Sequence, residues 1–314
     1  MNQNQKRMLL TSVSRPGRYA GGEYGQVIKD KTQVKARFAF AFPDSYEIGM
    51  SSLGVRILYH CLNLHDDIWC ERTYAPWVDM QEKMREHEIP LWAHESGDPI
   101  GEFDFLGFTL QYEMCYTNIL QILDLSRIPR YAAERTKDHP IVIGGGPCAY
   151  NPEPIADFFD LFYIGEGETQ YENLINLYRR CRKEGLSRQE FLKEAGKLPG
   201  IYCPQFYEVK YKEDGTIESF EPIDKELPKT ILKEIEMDVE RRSIETPSVT
   251  SYMLDESTTG YLAISEFSES TISQFENALR ELDESGMERM IVDLRSNTGG
   301  SLNAVIKMLD MIVD

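Results

Sequence analysis

Long hydrophobic runs are missing from this 314-residue chain, and nothing in it approaches the roughly 18–20 unbroken apolar residues that a membrane-spanning helix needs. Its start, MNQNQKRMLLTSVSRPGRY, holds an apolar patch of only two or three residues, where a secretory signal needs about 7–15. Neither a membrane span nor a leader is expected, and the chain reads as cytoplasmic. Cysteine is sparse too. The six thiols, Cys61, Cys70, Cys115, Cys148, Cys181 and Cys203, never come closer than nine positions apart. That spacing rules out a CxxC zinc knuckle and the CxxxCxxC triplet that would hold an iron–sulfur cluster. In a chain too large to need staples it fits reduced thiols. Positive charge is in deficit, with 34 Lys and Arg against 52 Asp and Glu and a formal charge of −18. Affinity for phosphate backbones and anionic lipid comes from cations, so neither nucleic acid nor a membrane is expected as a partner. What remains is an ordinary globular composition, 41% hydrophobic and 27% charged, long enough for about two domains.

The first 200 residues alternate short apolar strands with helix-period stretches, the signature of a parallel α/β sheet. Strands are expected in ARFAFAFP, DIWCERTYAP, FDFLGFTL, PIVIGGG and LFYIGEGE. Amphipathic helices fall between them in SSLGVRILYHCLN, WVDMQEKMREHE and YTNILQILDLSRI, with a short acidic helix around Pro154 to Phe159. Five such strands argue for a doubly wound, flavodoxin-like layer. After two further helices, IYCPQFYEVKYKEDGTIESFEPI reads as a β-hairpin extension turning at Asp214-Gly215. A charged stretch without a buried face then marks a linker, with a seam between about Pro228 and Glu240. The second unit reads as strand GYLAISEF, helix STISQFENALRELDESG capped by Ser270 or Thr271 and ended by Gly286, strand MERMIVDLR and a helix from about Ser301. The expected division is an N-terminal arm 1–20, an α/β domain 21–200, a hairpin 201–223, a linker 224–247 and a second unit 248–314.

Ligands of open parallel sheets sit beyond the carboxyl ends of the strands. The candidate binding residues are therefore those that follow each expected strand: Asp44, Tyr46, Glu47 and Gly49; Gln111, Tyr112 and Glu113; Gly144, Gly145, Gly146 and Pro147; and Gly165, Glu166 and Gly167. The loop Arg72 to Trp77 belongs to the same end. Glycines after a strand let a phosphate or amide approach the backbone, but any tight strand-to-helix turn also needs them. The run fits neither GxxxxGK[ST] nor GxGxxG. Cys115 and Cys148 read as inert thiols near strand ends, Glu166 and Glu168 as a solvated turn, His60 as a packed helix residue and His94 as an ordinary surface or loop histidine. No residue is assigned a catalytic role and no metal set is proposed.

The run from Gly21 to about Glu168, with GGEYGQVIKD, RFAFAFPDSYEIGMSSLGVRILYH, CERTYAPWVDM, FLGFTLQYEMCYTNIL, IGGGPCAYNPEPIADFFD and IGEGE, resembles the N-terminal half of bacterial radical S-adenosylmethionine (SAM) proteins with a cobalamin-binding-like domain. The resemblance implies a flavodoxin-like module set against a separate TIM-barrel-like catalytic domain, shaping a cofactor or substrate cavity. That domain and its CxxxCxxC cluster do not follow the linker, so iron–sulfur radical chemistry is not expected of this chain alone. The cofactor is left unknown. Cobalamin is one option, but base-off cobalamin proteins share D-x-H-x-x-G, and the nearest string here, Trp92 to Gly97, has Trp92 in place of Asp.

From about Val239, VERRSIETPSVTSYML and GYLAISEFSESTISQFENALRELDESGMERMIVDLRSNTGGSLNAVIKMLDMIV resemble the carboxyl-terminal processing, or tail-specific, serine proteases. The resemblance implies an incomplete α/β fragment of the ClpP/crotonase-like kind, with an oxyanion-type turn at Gly299 and Gly300 whose backbone N–H groups face developing charge. Thr298 stands where Pro is usual. The family's Ser nucleophile and Lys base are expected downstream, and its PDZ domain is reduced to a trailing edge before Tyr252. Ser301 reads as a helix N-cap, because Lys307 lies about 240° around the same helix.

Together the resemblances imply the front of one enzyme joined to the middle of another, in a chimeric or truncated reading frame, without a reaction centre in either part. A binding module ranks first, an interaction protein related to the peptidase second and an enzyme last. The expected partners are a radical SAM catalytic domain or a small ligand at the first-unit cleft. Self-association is expected through the second unit, where Leu262, Ile264, Ile291, Val292 and Leu294 should lack a covering layer.

Overall fold

The computed structural model describes residues 3–232, 247–254, 257–295 and 297–313. Residues 233–240 of the expected seam lie outside them. The chain divides into two compact units, 1–237 and 238–314, each described by itself.

In the first unit, continuous apolar runs become a sheet buried on both faces, as parallel strands require. The strands are β1 (Ala36–Phe42), β2 (Ile68–Tyr74), β3 (Phe105–Thr109), β4 (Ile141–Gly145), β5 (Leu161–Tyr163) and β6 (Ile201–Tyr202), in the order β2-β1-β3-β4-β5-β6. The first five run parallel, which is the flavodoxin-like arrangement expected. Period-two alternation sends Phe38, Phe40 and Phe42 of β1 to the face covered by the helices Leu53–Asn63 and Gly167–Glu184. Ala39 and Ala41 face the helices Val78–Glu86 and Tyr116–Leu125. Glycine makes room for this packing at Gly107, where a Cβ would lie 2.7 Å from the Phe38 ring.

The hairpin reading is corrected at its start. Ile201–Tyr202 does not begin a hairpin but pairs antiparallel with β5, closing that side of the main sheet. The hairpin itself is β7 (Tyr207–Tyr211) and β8 (Ile217–Pro222), and Asp214 Oδ1 accepts from the Thr216 amide at 2.9 Å to hold its turn.

At the other edge, the outward polar groups of β2 are satisfied by side chains and a neighbouring loop. Lys29 Nζ donates to the Ile68 carbonyl at 2.6 Å. The Asn63 amide both accepts from Cys70 N at 3.1 Å and donates to Cys70 O at 2.9 Å. Glu95 accepts from Arg72 N at 2.7 Å, and His94 N donates to Arg72 O at 2.8 Å. An edge satisfied in this way offers no template to another strand.

The second unit holds β9 (Val249–Met253), β10 (Thr259–Ile264) and β11 (Arg289–Asp293), with β10 central, antiparallel to β9 and parallel to β11. β9 was not anticipated as a strand of its own. The helix Glu269–Glu284 is capped by Ser268, two or three residues earlier than expected, with Thr271 Oγ1 accepting from Ser268 N at 3.0 Å. A second correction concerns its core. Leu262 and Ile264, expected to lack cover, are 0% and 3% exposed, packed with Phe275, Ala278, Leu282 and Met308. Ile291, Val292 and Leu294 stay exposed, Ile291 at 46%.

Candidate functional site

The order β2-β1-β3 makes the winding reverse between β1 and β3, so the loops after these two strands flank the crevice where such sheets bind ligands. Asp44 ends the β1 loop and Tyr112 the β3 loop, and the Tyr112 hydroxyl donates to Asp44 Oδ2 across the crevice. Asn118, in the helix after β3, donates to Pro43 O at 2.9 Å and fixes the β1 loop from below. The bond to Asp44, more than burial, pushes the Tyr112 hydroxyl up to about 12. Gln111 turns back to donate to Thr109 Oγ1, and Glu113 is exposed beside it.

The other β1-loop candidates face away from the crevice. Tyr46 packs edge-on against Tyr74 and His94, with ring centroids 5.3 and 5.4 Å away. Burial first, and a hydrogen bond to Glu23 second, push its hydroxyl up to about 12. Glu47 pairs with Arg18 at 2.8 Å and Arg15 at 3.3 Å. Gly49 lies where a Cβ would meet the Tyr74 ring at 2.4 Å. The glycines after β4 and β5 also do structural work. Gly146 has φ +97° and presses on the Leu110 backbone, while Gly144 and Gly167 leave room for the Phe162 and Tyr171 rings. Pro147 opens a single turn of 3-10 helix, and Gly165, at φ +153°, precedes Glu166, the N-cap of the long helix.

His94 lies in a turn, as a loop histidine would, but not at the surface. It is 7% exposed, and burial pushes its imidazole down to about 4. Beneath it Arg72 pairs with Glu23 and Glu95, each at 2.7 Å, and lies over the Tyr59 ring. His60, expected to pack, is exposed on its helix. Cys115 is buried and Cys148 half-buried, as thiols beside a core are. The sequence reading also missed the apolar character of the rim. Ile48, Leu53 (68% exposed), Met114 (86%) and Tyr150 stand out from the segments that follow β1, β3 and β4.

In the second unit Asn297 organises the turn. Its side chain accepts from Gly299 N at 2.7 Å and donates to Ile264 O at 3.0 Å. The Gly299 amide is therefore turned onto Asn297 rather than outward. Gly300, at φ +136°, sits so close to Phe267 O that a Cβ would be 2.1 Å away. Ser301 Oγ accepts from Ala304 N at 3.4 Å, the N-cap role expected of it.

Residues 54–204 match the family model described as radical SAM proteins, N-terminal, and residues 258–314 that of peptidase family S41. An uncharacterized protein of Methanocaldococcus jannaschii is 29% identical over 165 residues, which are 52% of this chain and 31% of the relative. The carboxy-terminal processing proteases CtpB and CtpA of Bacillus subtilis are 46% identical over 54 residues and 32% over 89. Those stretches are 17% and 28% of this chain, and 11% and 19% of the two proteases. The chain thus spans about a third or less of each curated relative. A radical S-adenosylmethionine methyltransferase, TsrM of Kitasatospora setae, solved with tryptophan and a SAM analog, aligns over 58% of this chain and 29% of its own. The two share 14% identity at a TM-score of 0.32.

Proposed function

We propose that residues 21–200 form a docking and cavity-shaping module for a radical SAM catalytic domain, and that neither unit described here is itself a reaction centre. A radical SAM N-terminal segment and a peptidase S41 segment are both present. The observation that carries the reading is the apolar rim. Ile48, Leu53, Met114 and Tyr150 stand exposed on the segments that follow three neighbouring strands, β1, β3 and β4, at the end of the sheet where Tyr112 donates to Asp44. Large apolar side chains gathered at one end of a sheet mark an interaction surface, and this is the end at which open α/β sheets meet their ligands.

An imidazole-ligated corrinoid fits the site poorly. His94 belongs to the string nearest the cobalt-ligand motif, yet its ring is buried among Tyr46 and Tyr74 instead of facing the rim. The other histidines lie away from these loops in sequence. The second unit would act through contacts, since Ser301 is engaged as a helix cap. The joining of two family segments is read as a chimeric frame. Six free thiols, with no helix among the described residues long and apolar enough to cross a membrane, support a place in the cytoplasm.

The test is calorimetric titration of the full chain with the catalytic domain of a radical SAM protein that carries this N-terminal family. Micromolar association, weakened at least tenfold by Leu53→Glu with Met114→Glu, supports the reading. No binding, or binding indifferent to the rim, sinks it.

A further inference from the structure

A nearly closed cavity lies behind the β1 and β2 loops of the first unit, lined on its polar side by Ser45, Tyr46, Thr73, Tyr74 and His94. About 10 Å³ of it is open to the centre of a water molecule, close to what one water needs. Both ring nitrogens of His94 and the Tyr74 hydroxyl are buried there without a protein partner. The two rings are 4.9 Å apart, and both residues are more than nine-tenths buried. Two neighbouring groups are engaged elsewhere: Thr73 Oγ1 donates to Trp92 O at 3.1 Å, and Arg72 is held between Glu23 and Glu95, while Glu23 Oε1 is itself buried without a hydrogen-bond partner.

Stranded polar atoms of this kind are rarely kept, because each is desolvated without compensation. A neutral imidazole offers one donor and one acceptor, and a phenol offers one donor and accepts as well. Whatever joins them must donate, accept and be no larger than the cavity. The rest of the lining is largely apolar, with Met80, Met84 and Leu91 prominent, and its one charged side chain, Arg18, is already paired with Glu47 at 2.8 Å.

We propose that one ordered water occupies this cavity and bridges the Tyr74 hydroxyl to a ring nitrogen of His94. It ties the end of β2 to the segment 91–97. The Tyr46 ring packs against both bridged rings, so the water also positions the loop that presents Asp44 at the crevice.

A crystal structure of the full chain at about 1.5 Å should show a single density peak within hydrogen-bond distance of both groups. A dry cavity, or His94 turned onto a protein partner, overturns the proposal. In solution, Tyr74→Phe and His94→Phe keep the rings and remove the bridge's ends. All three tryptophans (Trp69, Trp77 and Trp92) lie in the first unit, so their fluorescence follows its unfolding. A shared water makes the double variant's loss of urea midpoint fall clearly short of the sum of the two single losses. Losses that add in full overturn it.

Discussion

The Tyr112 hydroxyl donates to Asp44 across the line where the winding of the sheet reverses, joining the loops of two strands that are neighbours in space and far apart in sequence. The bond keeps the phenol protonated well past its usual range, up to about 12. Asp44→Asn removes the charged acceptor, and the Tyr112 titration should fall back toward an ordinary tyrosine's value of about 10. Carbon-13 NMR of the labelled phenol between pH 9 and 12 reads this directly. An unchanged titration would mean that the pair does not form in solution.

Burial sets the acid response of the first unit. His94 takes a proton only near pH 4 in the folded state, against about 6.5 when unfolded. As pH falls, the unfolded chain therefore binds this proton first. The stabilisation is complete above about pH 6.5 and declines toward pH 4, by about 3 kcal/mol over that window. Urea midpoints followed by tryptophan fluorescence at pH 7, 5.5 and 4 should fall more steeply for the natural chain than for His94→Phe. Parallel declines would show that the imidazole is not desolvated.

In the second unit, β11 pairs with β10 on one side, and among the described residues no strand lies on the other. Ile291 and Val292 of that strand are exposed. Concentration-dependent association of the full chain is expected in sedimentation velocity, and Ile291→Lys should reduce it severalfold. Leu53→Lys, on the first-unit rim, should leave it unchanged; the reverse pattern would assign the contact to the rim.

The five parallel strands were legible because a sheet covered on both faces needs near-continuous apolar runs, and ARFAFAF or FLGFT can be little else. Ile201–Tyr202 was not, since two residues next to a hairpin signal carry no periodicity of their own, and their pairing with β5 is a tertiary fact. The position of Ser268 was hidden by a run rich in Ser and Thr in which several residues could cap. At the site, the loops were readable from strand ends, but their orientation was not. Gly21 brings the N-terminal arm against the His94 backbone, where a Cβ would lie 2.3 Å from its carbonyl oxygen, and this contact across more than seventy residues helps to bury the imidazole. No local pattern around Ala93-His94-Glu95 announces it.

Lys29, Asn63 and Glu95 close the flank of β2 from within the first unit. On that flank the sheet presents no open row of amides and carbonyls, so no further strand can be added there without first displacing these side chains. The small sheet of the second unit has no such independence on its β11 side, and its behaviour depends on the company it is given.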